Sequence, residues 1–438
     1  MSKPRRPVDL SRDHARPRTA PAPASPQVEA RLTELMTPAL LRAGEAYRQL
    51  GLRGRVLTLP VTVGVVLALI WRQIASVSEL ARVLAREQLL WVPPQPISQQ
   101  ALSLRLRCLP AELFARVWAE MLPTLQARAA ARERPRPAVL TRALAHYDAV
   151  WAADGSTLEA LFKKVGLLRE EAATALGGKL VALLDVSTKL PVQLWLDPEA
   201  AANDLRFQDE LRAAVPPRTL LLFDRGLCSF PLFDWLTEQD CGFVTPARAL
   251  TAFAPLATFA DGPHLRDRRI ALGRYRSNPC RHPVRLLEVR IGAGWRRYLT
   301  NLDPAAFPPP DVIDLYARRW RIEEAFGLAK RLLGLAYLWS GAFNVIAMQV
   351  WATWLLYATL VDLADAVAEE LDRPLEAISL EMVYRGLYHF AVAAGRGLAT
   401  DPVAYLADPA NADLGVVKRR RPKRERDRLA NRPPELNL

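Results

Sequence analysis

From about residue 145 the chain alternates between short apolar runs and amphipathic segments, and this alternation constrains the fold more than any other feature. Short apolar runs bounded by turn residues are typical of buried strands. The sequence predicts five such strands, in the order AVWAADGS, KLVALLDVS, PVQLWLD, RTLLLFDRG and GFVTPAR. The segments AAANDLRFQDELRAAV and SFPLFDWLTEQ, on either side of the fourth strand, predict helices. This order favours an α/β core, because strands and helices that alternate along a chain build a sheet covered by helices.

Two of the predicted strands end in an aspartate. Asp154 closes the first strand and Asp224 closes the fourth, and a glycine follows each of them within two residues. Three strands, a helix, a strand, a helix and a strand are the order of an RNase H-like core. Polar groups just beyond strand ends converge on the functional crevice of an α/β sheet. We therefore predict that Asp154 and Asp224 lie together, although either aspartate alone is also typical of a turn.

The segment YARRWRIEEAFGLAK, residues 316–330, predicts one continuous helix that carries a polar stripe. At about 100° per residue, four of its polar side chains fall within roughly 60° of one another: Tyr316, Arg319, Glu323 and Lys330. Arg319 and Glu323 are four residues apart, which also fits an ordinary surface ion pair. A stripe of phenol, guanidinium, carboxylate and ammonium groups suits a site where a carboxylate holds a metal ion and cations bind phosphates.

The spacing Tyr-(2)-Arg-(3)-Glu-(6)-Lys resembles the signature of the insertion-sequence-four family of bacterial DDE transposases. The resemblance implies an RNase H-like core in which three acids cleave DNA and bind two Mg²⁺ ions, for which Mn²⁺ can substitute. In this sequence these catalytic, metal-binding acids are Asp154, Asp224 and Glu323. Glu323 is then a metal ligand rather than an ion-pair partner of Arg319. Two divalent ions about 3.5–4 Å apart stabilise the attacking and leaving oxygens of an in-line displacement at phosphorus.

Basic and hydroxyl groups of the same signature are predicted to bind DNA phosphates. The resemblance assigns this role to Tyr316, Arg319 and Lys330, through a hydroxyl, a guanidinium and an ammonium group. Arg225 directly follows the second aspartate and is a further candidate for a phosphate contact.

Between residues 247 and 303 the pattern becomes rich in strands. The runs RRIALGRYR, VRLLEVRIG and WRRYLTN predict paired strands, and a β insertion at this place belongs to the pattern of the resembled family. Relatives with this insertion carry an aromatic residue that stacks on a base flipped out of the DNA, and Trp295 is the candidate here. Tyr298 could take the same role, and simple packing within the insertion would also explain Trp295.

The chain carries a large positive charge, with 59 Lys and Arg against 46 Asp and Glu and a net charge of +13. Arginine binds phosphate in a bidentate manner, so double-stranded DNA is the predicted partner, although an anionic membrane or solubility alone would also explain the charge.

The cysteines and the apolar stretches bear on where the protein works. Four cysteines without CxxC spacing argue against a zinc site or a disulfide framework and suit a reducing cytosol. Apolar stretches at 56–71 and 345–361 are short or interrupted by polar residues. They predict buried core helices, no membrane partner and a cytoplasmic location.

The N-terminal third of the chain predicts helices throughout. Ser76 or Ser78 is the predicted cap of SELARVLARE, and Ser98 is the predicted cap of SQQALSLRLRCL. Two short helices around a proline-rich break resemble a helix-turn-helix, and a plain helical bundle fits the same pattern.

The whole chain divides into seven predicted segments. They are 1–27, a disordered basic and Pro-rich arm; 28–138, a helical DNA-binding domain whose residues 126–138 form a linker or hinge; 139–246, the first part of the RNase H-like core; 247–303, the β insertion; 304–340, the core helix with the Tyr-Arg-Glu-Lys signature; 341–414, a C-terminal helical region; and 415–438, a basic disordered tail.

The resemblance implies a cut-and-paste transposase. Such an enzyme binds terminal inverted repeats, cleaves to leave a 3′-OH, excises the element through a hairpin and joins the ends to target DNA. Relatives act as dimers in which each subunit cuts the end bound by the other, so a homodimer in a synaptic complex is implied, without a small-molecule cofactor. A structure-specific nuclease or resolvase on the same fold is the alternative enzyme. A domesticated DNA-binding protein is the non-catalytic alternative, and the presence of all three acids argues against it.

Overall fold

The computed structural model describes residues 26–52, 55–74, 76–158, 178–199, 202–247, 252–292, 294–335 and 342–418. Its strands are β1 (Ala149–Thr157), β2 (Lys179–Asp185), β3 (Pro191–Asp197), β4 (Thr219–Phe223), β5 (Gly242–Pro246), β6 (Phe253–Asp261), β7 (Leu265–Leu272), β8 (Val284–Ile291) and β9 (Gly294–Thr300). They form a nine-stranded sheet in the order β3-β2-β1-β4-β5-β9-β8-β7-β6. Residues 1–25 of the predicted arm and 419–438 of the predicted tail lie outside the described residues.

Helices flank this sheet and also form a layer of their own. The α-helices of the described residues are α1 (Pro26–Gln49), α2 (Leu59–Trp71), α3 (Val77–Leu84), α4 (Gln99–Cys108), α5 (Glu112–Ala131), α6 (Ala138–His146), α7 (Gln208–Ala214), α8 (Phe230–Glu238), α9 (Pro309–Arg318), α10 (Trp320–Arg331), α11 (Phe343–Glu370), α12 (Leu380–Gly395) and α13 (Pro402–Ala407). Ser76 caps α3 by accepting a hydrogen bond from the Glu79 amide, and Ser98 caps α4 in the same way at Ala101. The predicted caps are therefore present, while a DNA-reading role for α3 and α4 stays a prediction.

The first five strands have the arrangement that the sequence predicts. β2 lies between β1 and β3 and is antiparallel to both, whereas β4 is parallel to β1 and to β5. Antiparallel neighbours need only a short turn, while parallel neighbours need a crossover, which α7 and α8 help to supply here. The RNase H-like α/β fold is confirmed.

β1 extends beyond the point where the sequence predicts its end. Its parallel pairing with β4 stops at Ala153 opposite Phe223, but its antiparallel pairing with β2 continues as far as Thr157 opposite Lys179. The prediction that the strand ends at Asp154 is therefore wrong. The polar residues after Asp154 hide the strand from a pattern search, because they lie at the rim of the sheet rather than in its core.

The predicted β insertion is a continuation of the central sheet. β9 pairs antiparallel with β5, and β8, β7 and β6 follow outward from it. The three predicted runs correspond to β7, β8 and β9, so the insertion is confirmed. β6 was not predicted, because it is an edge strand with mostly exposed residues and Pro255 inside it, which removes the usual alternation.

α11 is the central helix of the helical layer. It packs against α2 and α5 from the N-terminal third and against α12 and α13 from the C-terminal region. By length and composition α11 could cross a membrane, but 94% of its apolar window is buried inside the protein. Because α2 is also buried, both stretches weighed as membrane spans form core helices here. One apolar core thus joins helices from both ends of the chain to one face of the sheet.

Buried ion pairs hold the segment at 126–138, predicted to be a linker or hinge, against α11. Arg132 donates to Asp362 over 2.6 Å and to Asp365 over 3.1 Å. Arg134 also pairs with Asp365, and both side chains of that pair are 2% exposed. The arginines that resemble linker charges in the sequence are therefore the anchors of this segment to α11.

Candidate active site

The signature segment folds as two helices that meet at Arg319. α9 ends at Arg318 and α10 begins at Trp320, while Arg319 keeps right-handed helical angles (φ −53°, ψ −31°). The Arg319 amide donates to the Tyr316 carbonyl over 3.0 Å, and the Ile322 amide donates to the Arg319 carbonyl over 3.1 Å. Both bonds span three residues, so the backbone tightens into a 3₁₀ turn. The prediction of one continuous helix is wrong at Arg319, because side-chain periodicity over one turn does not distinguish the two helix types.

α10 lies across the rim of the sheet with its apolar side facing β1 and β2. Ile322, Ala325 and Ala329 are buried on that side. Glu323 is 33% exposed and accepts a hydrogen bond from Arg319. Glu324 points elsewhere and pairs with Arg321, as the rotation of about 100° per residue predicts.

Asp154 and Asp224 lie at the rims of the adjacent parallel strands β1 and β4. Asp154 follows the last pair between the two strands, and Asp224 follows Phe223, the last residue of β4. The Gly155 amide donates to Asp154 Oδ1 over 2.8 Å, and the Gly226 amide donates to Asp224 Oδ1 over 2.7 Å. The glycine that follows each aspartate therefore fixes the orientation of its carboxylate.

The Asp154 carboxyl is buried near the negative charges of Asp224 and Glu323. Burial is the main cause that raises the pKa of the Asp154 carboxyl to about 6, and the charges of Asp224 and Glu323 act in the same direction. Arg319 and the Gly155 amide oppose this shift without cancelling it. Because burial and nearby negative charges both penalise ionisation, a cation beside Asp154 would stabilise the charged form of its carboxyl.

In this structure the cation at Asp154 is the guanidinium of Arg319. Arg319 Nη1 donates to Asp154 Oδ2 over 2.9 Å, and Nη2 donates to Glu323 Oε1 over 2.5 Å. Burial acts to lower the pKa of Arg319, but Tyr316, Glu323 and Asp154 raise it overall, so the guanidinium stays charged. The prediction that Glu323 is not an ion-pair partner of Arg319 is therefore wrong for this conformation.

The carboxylates suit a divalent ion by their chemistry, although they are not gathered around one position. Among the residues that the structure describes, no group of three or more His, Cys, Asp and Glu side chains is placed to hold a metal ion. Asp154, Asp224 and Glu323 offer the hard oxygen ligands that Mg²⁺ prefers. Arg319 lies between two of these three carboxylates, those of Asp154 and Glu323.

The remaining signature residues surround this cluster. Tyr316 accepts a hydrogen bond of 3.3 Å from Arg319 Nε. Lys330 Nζ donates to Ser156 Oγ over 2.6 Å and to the Thr157 carbonyl over 2.7 Å, so it lies against the part of β1 that the sequence analysis did not predict. Two signature residues therefore contact β1 directly, Arg319 at Asp154 and Lys330 at Ser156 and Thr157.

A cleft of about 300 Å³ opens beside Tyr316. Its lining includes Arg225, Trp295 and Arg297. Trp295 is half-buried, and the Arg266 guanidinium lies 4.6 Å from the centre of its ring. Tyr298, the rival candidate for base stacking, is only 5% exposed and packs on Tyr316 at 5.3 Å between ring centres. The geometry therefore favours Trp295 over Tyr298 as the residue that a base could reach.

A charged pair that the sequence pattern did not predict borders both aspartates. Asp204 Oδ1 lies 2.8 Å from Lys179 Nζ, and the two side chains are 15% and 13% exposed. A Cβ added at Gly155 would lie 2.4 Å from Asp204 Oδ1, and one added at Gly226 would lie 2.5 Å from Asp204 Oδ2. The Asp204 carboxylate is thus wedged between the glycines that orient Asp154 and Asp224. The glycine after each aspartate was the available signal, because it indicates a close approach by another group.

Gly226→Ala is expected to reduce DNA cleavage by about 100-fold, the effect of a displacement of about 1 Å at a reacting centre. The added methyl group would collide with Asp204 Oδ2 and lie 3.0 Å from Asp224 Oδ1. Gly44→Ala is the matched control, because nothing lies within 4 Å of that position. Cleavage rates and thermal melts of both variants test this: equal cleavage by the two proteins would show that the close approach at Gly226 is not needed.

The sheet order and the helix across its rim define an RNase H-like core. Residues 170–357 match the family model of the transposase DDE domain. This match includes Asp224 and Glu323 and begins after Asp154. It supports a transposase function, an enzyme of the nuclease and transposase class, and a DNA substrate, and domains of this family generally use divalent metals. A search of curated proteins found no match.

Proposed function

We propose that this protein is the cut-and-paste DNA transposase of an insertion sequence, of the insertion-sequence-four type. The observation that carries the proposal is the position of Asp154 and Asp224 at the rims of adjacent parallel strands, with Glu323 of α10 joined to Asp154 through Arg319. The match to the transposase DDE domain over residues 170–357 supports it independently.

Asp154, Asp224 and Glu323 would hold Mg²⁺, or Mn²⁺ in its place. Two bound ions would supply charge stabilisation to the attacking and leaving oxygens of a phosphodiester. The raised pKa of Asp154, caused mainly by burial, supports this role, because a bound cation would offset the cost of ionising a buried carboxyl. Gly155 and Gly226 keep the two aspartates oriented through their amide hydrogen bonds.

The cationic groups around the carboxylates would bind the DNA backbone. Arg225 and Tyr316 line the cleft beside the site, and Arg319 contacts Tyr316. Lys330 borders the site from the other end of α10, at the rim of β1. Phosphate contacts of this kind position the strand without reading its sequence. In this proposal the N-terminal helices recognise the sequence of the terminal repeats. Two copies of the chain form the synaptic complex, in the bacterial cytoplasm.

Trp295→Ala is expected to slow hairpin formation about tenfold while it leaves the first nick nearly unchanged. Base–aromatic stacking contributes about 1–3 kcal/mol, and only the hairpin step is proposed to need a flipped base. Gel assays of nicking and of hairpin formation on one substrate separate the two steps. Equal slowing of both steps would indicate that Trp295 packs within the insertion.

The experiment that tests the proposed function is strand transfer. Purified protein, Mg²⁺ and pre-cleaved DNA carrying the inverted repeats that flank the gene should give joined products with a target plasmid. Cleavage of uncut ends without any joining would favour the structure-specific nuclease or resolvase. Repeat binding without either reaction would favour the non-catalytic DNA-binding protein.

A further inference from the structure

The guanidinium of Arg319 neutralises two carboxylates that the proposed function assigns to metal binding. It lies 2.9 Å from Asp154 Oδ2 and 2.5 Å from Glu323 Oε1, and only 8% of the side chain is exposed. A planar guanidinium can donate to two carboxylates at once, which a compact ammonium does less well. The contact therefore does what a bound cation would do, because it keeps two mutually repelling groups side by side.

A divalent ion on the same carboxylates would compete with Arg319. The ion needs the oxygens that the guanidinium now occupies, and two cations beside one carboxylate repel each other. Glu323 cannot join Asp154 and Asp224 around an ion while Arg319 Nη1 and Nη2 lie between Asp154 and Glu323. Metal binding at Glu323 thus requires the guanidinium to leave.

A second position for the guanidinium is close at hand. Arg319 Nε already contacts the Tyr316 hydroxyl at 3.3 Å, and Tyr316 lines the cleft that also contains Arg225 and Trp295. A DNA phosphate in this cleft would offer Arg319 a bidentate anion in place of the two carboxylates. The phosphate would then neutralise the Arg319 guanidinium after the divalent ion has displaced it from the two carboxylates.

We propose that Arg319 is a positioning residue that couples divalent-metal binding to DNA binding. It holds Asp154 and Glu323 together in the DNA-free protein, and it releases them when a DNA phosphate becomes its partner. The coupling is reciprocal, so the metal tightens DNA binding by the factor by which DNA tightens metal binding. This inference rests on the proposed function, since it takes Asp154 and Glu323 as metal ligands.

The test is Mn²⁺ binding to the full-length protein in the absence of DNA. The electron paramagnetic resonance signal of free Mn²⁺ measures how much of the ion is unbound. Arg319→Lys keeps the charge but loses the two-carboxylate contact, and we expect it to bind Mn²⁺ at least about fivefold more tightly than the wild type. Arg319→Met should bind more tightly still. Arg321→Met is the matched control, since it removes the same charge two residues away, where Arg321 pairs with Glu324 and Glu376. Its Mn²⁺ affinity should change less than about twofold.

Addition of duplex DNA carrying the repeats gives the second measurement. DNA should tighten Mn²⁺ binding more in the wild type than in Arg319→Lys, because only the wild type has the competing contact to release. Unchanged Mn²⁺ affinity of DNA-free Arg319→Lys, or equal tightening by Arg319→Met and Arg321→Met, would overturn the inference. If Arg319→Met does not fold, Arg319→Lys decides the result alone.

Two further variants separate this inference from the proposed function. Asp154→Asn and Asp224→Asn should each weaken Mn²⁺ binding strongly in an otherwise wild-type chain. If both bind Mn²⁺ as well as the wild type, the metal site and the proposed function fail together. If both lose binding while Arg319→Lys equals the wild type, only the coupling by Arg319 fails.

Discussion

Asp154→Asn, Asp224→Asn and Glu323→Gln are each expected to lower Mg²⁺-dependent DNA cleavage by at least about 1,000-fold. Each substitution keeps the shape of the side chain and removes one anionic oxygen ligand. Metal-ion stabilisation of the transition state is worth several kcal/mol, and each 1.36 kcal/mol is a tenfold change in rate. Binding of the repeats should persist, because the N-terminal helices are proposed to supply it.

Two neighbouring acids serve as matched controls in the same cleavage assay. Asp148 begins the approach to β1, and its side chain is 71% exposed beside Arg218. Glu324 is the residue after Glu323 and is 51% exposed beside Arg321. Asp148→Asn and Glu324→Gln should cleave within about threefold of the wild type, because their contacts are exposed ion pairs. Near-normal cleavage by any of the three site variants would refute the site assignment.

Asp365→Ala is expected to destabilise the protein by about 3–5 kcal/mol, the cost of leaving a buried ion-pair partner uncompensated. Asp365 is 2% exposed and pairs with Arg134, which is equally buried, and with Arg132. The variant would leave Arg134 charged and without this partner between the 126–138 segment and α11. Chemical unfolding, monitored by circular dichroism, measures the decrease in the free energy of unfolding.

Glu34→Ala is the control for this prediction, since Glu34 is 63% exposed where it pairs with Arg128. Its effect should stay below about 1 kcal/mol. The double variant Arg134→Met with Asp365→Leu should recover most of the lost stability, because an apolar pair needs no charge compensation. A loss for Asp365→Ala no larger than that of the control would show that the buried pairs do not hold the 126–138 segment.

The order of the core strands was predictable because each strand is a short apolar run bounded by turn residues. Those runs correspond to β1 through β5, and the helices between the later ones correspond to α7 and α8. β6 escaped prediction because it is an exposed edge strand. The full length of β1 escaped prediction because pairing with β2 alone supports its polar end, and such pairing leaves no apolar pattern.

The proximity of Arg319 and Glu323 was predictable, but the contacts that they make were not. Spacing along the signature segment places Arg319 and Glu323 on one side of the helix, and the structure brings both beside Asp154. The 3₁₀ turn at Arg319 and the wedge of Asp204 between two glycines were not predictable. Side-chain spacing over one turn does not distinguish a 3₁₀ turn from an α-helical one, and the position of Asp204 depends on how separate elements pack.

The sequence by itself determined the α/β class, the strand order of the core and the residue types available for chemistry at the rim of the sheet. These properties are local, because periodicity and turn residues act over a few positions. Only the tertiary structure decided that Arg319 bridges Asp154 and Glu323, and that arginines from the 126–138 segment join it to α11. The reason is physical: ion pairs between distant parts of a chain depend on sheet register and helix packing, which bring charges together only after the core has formed.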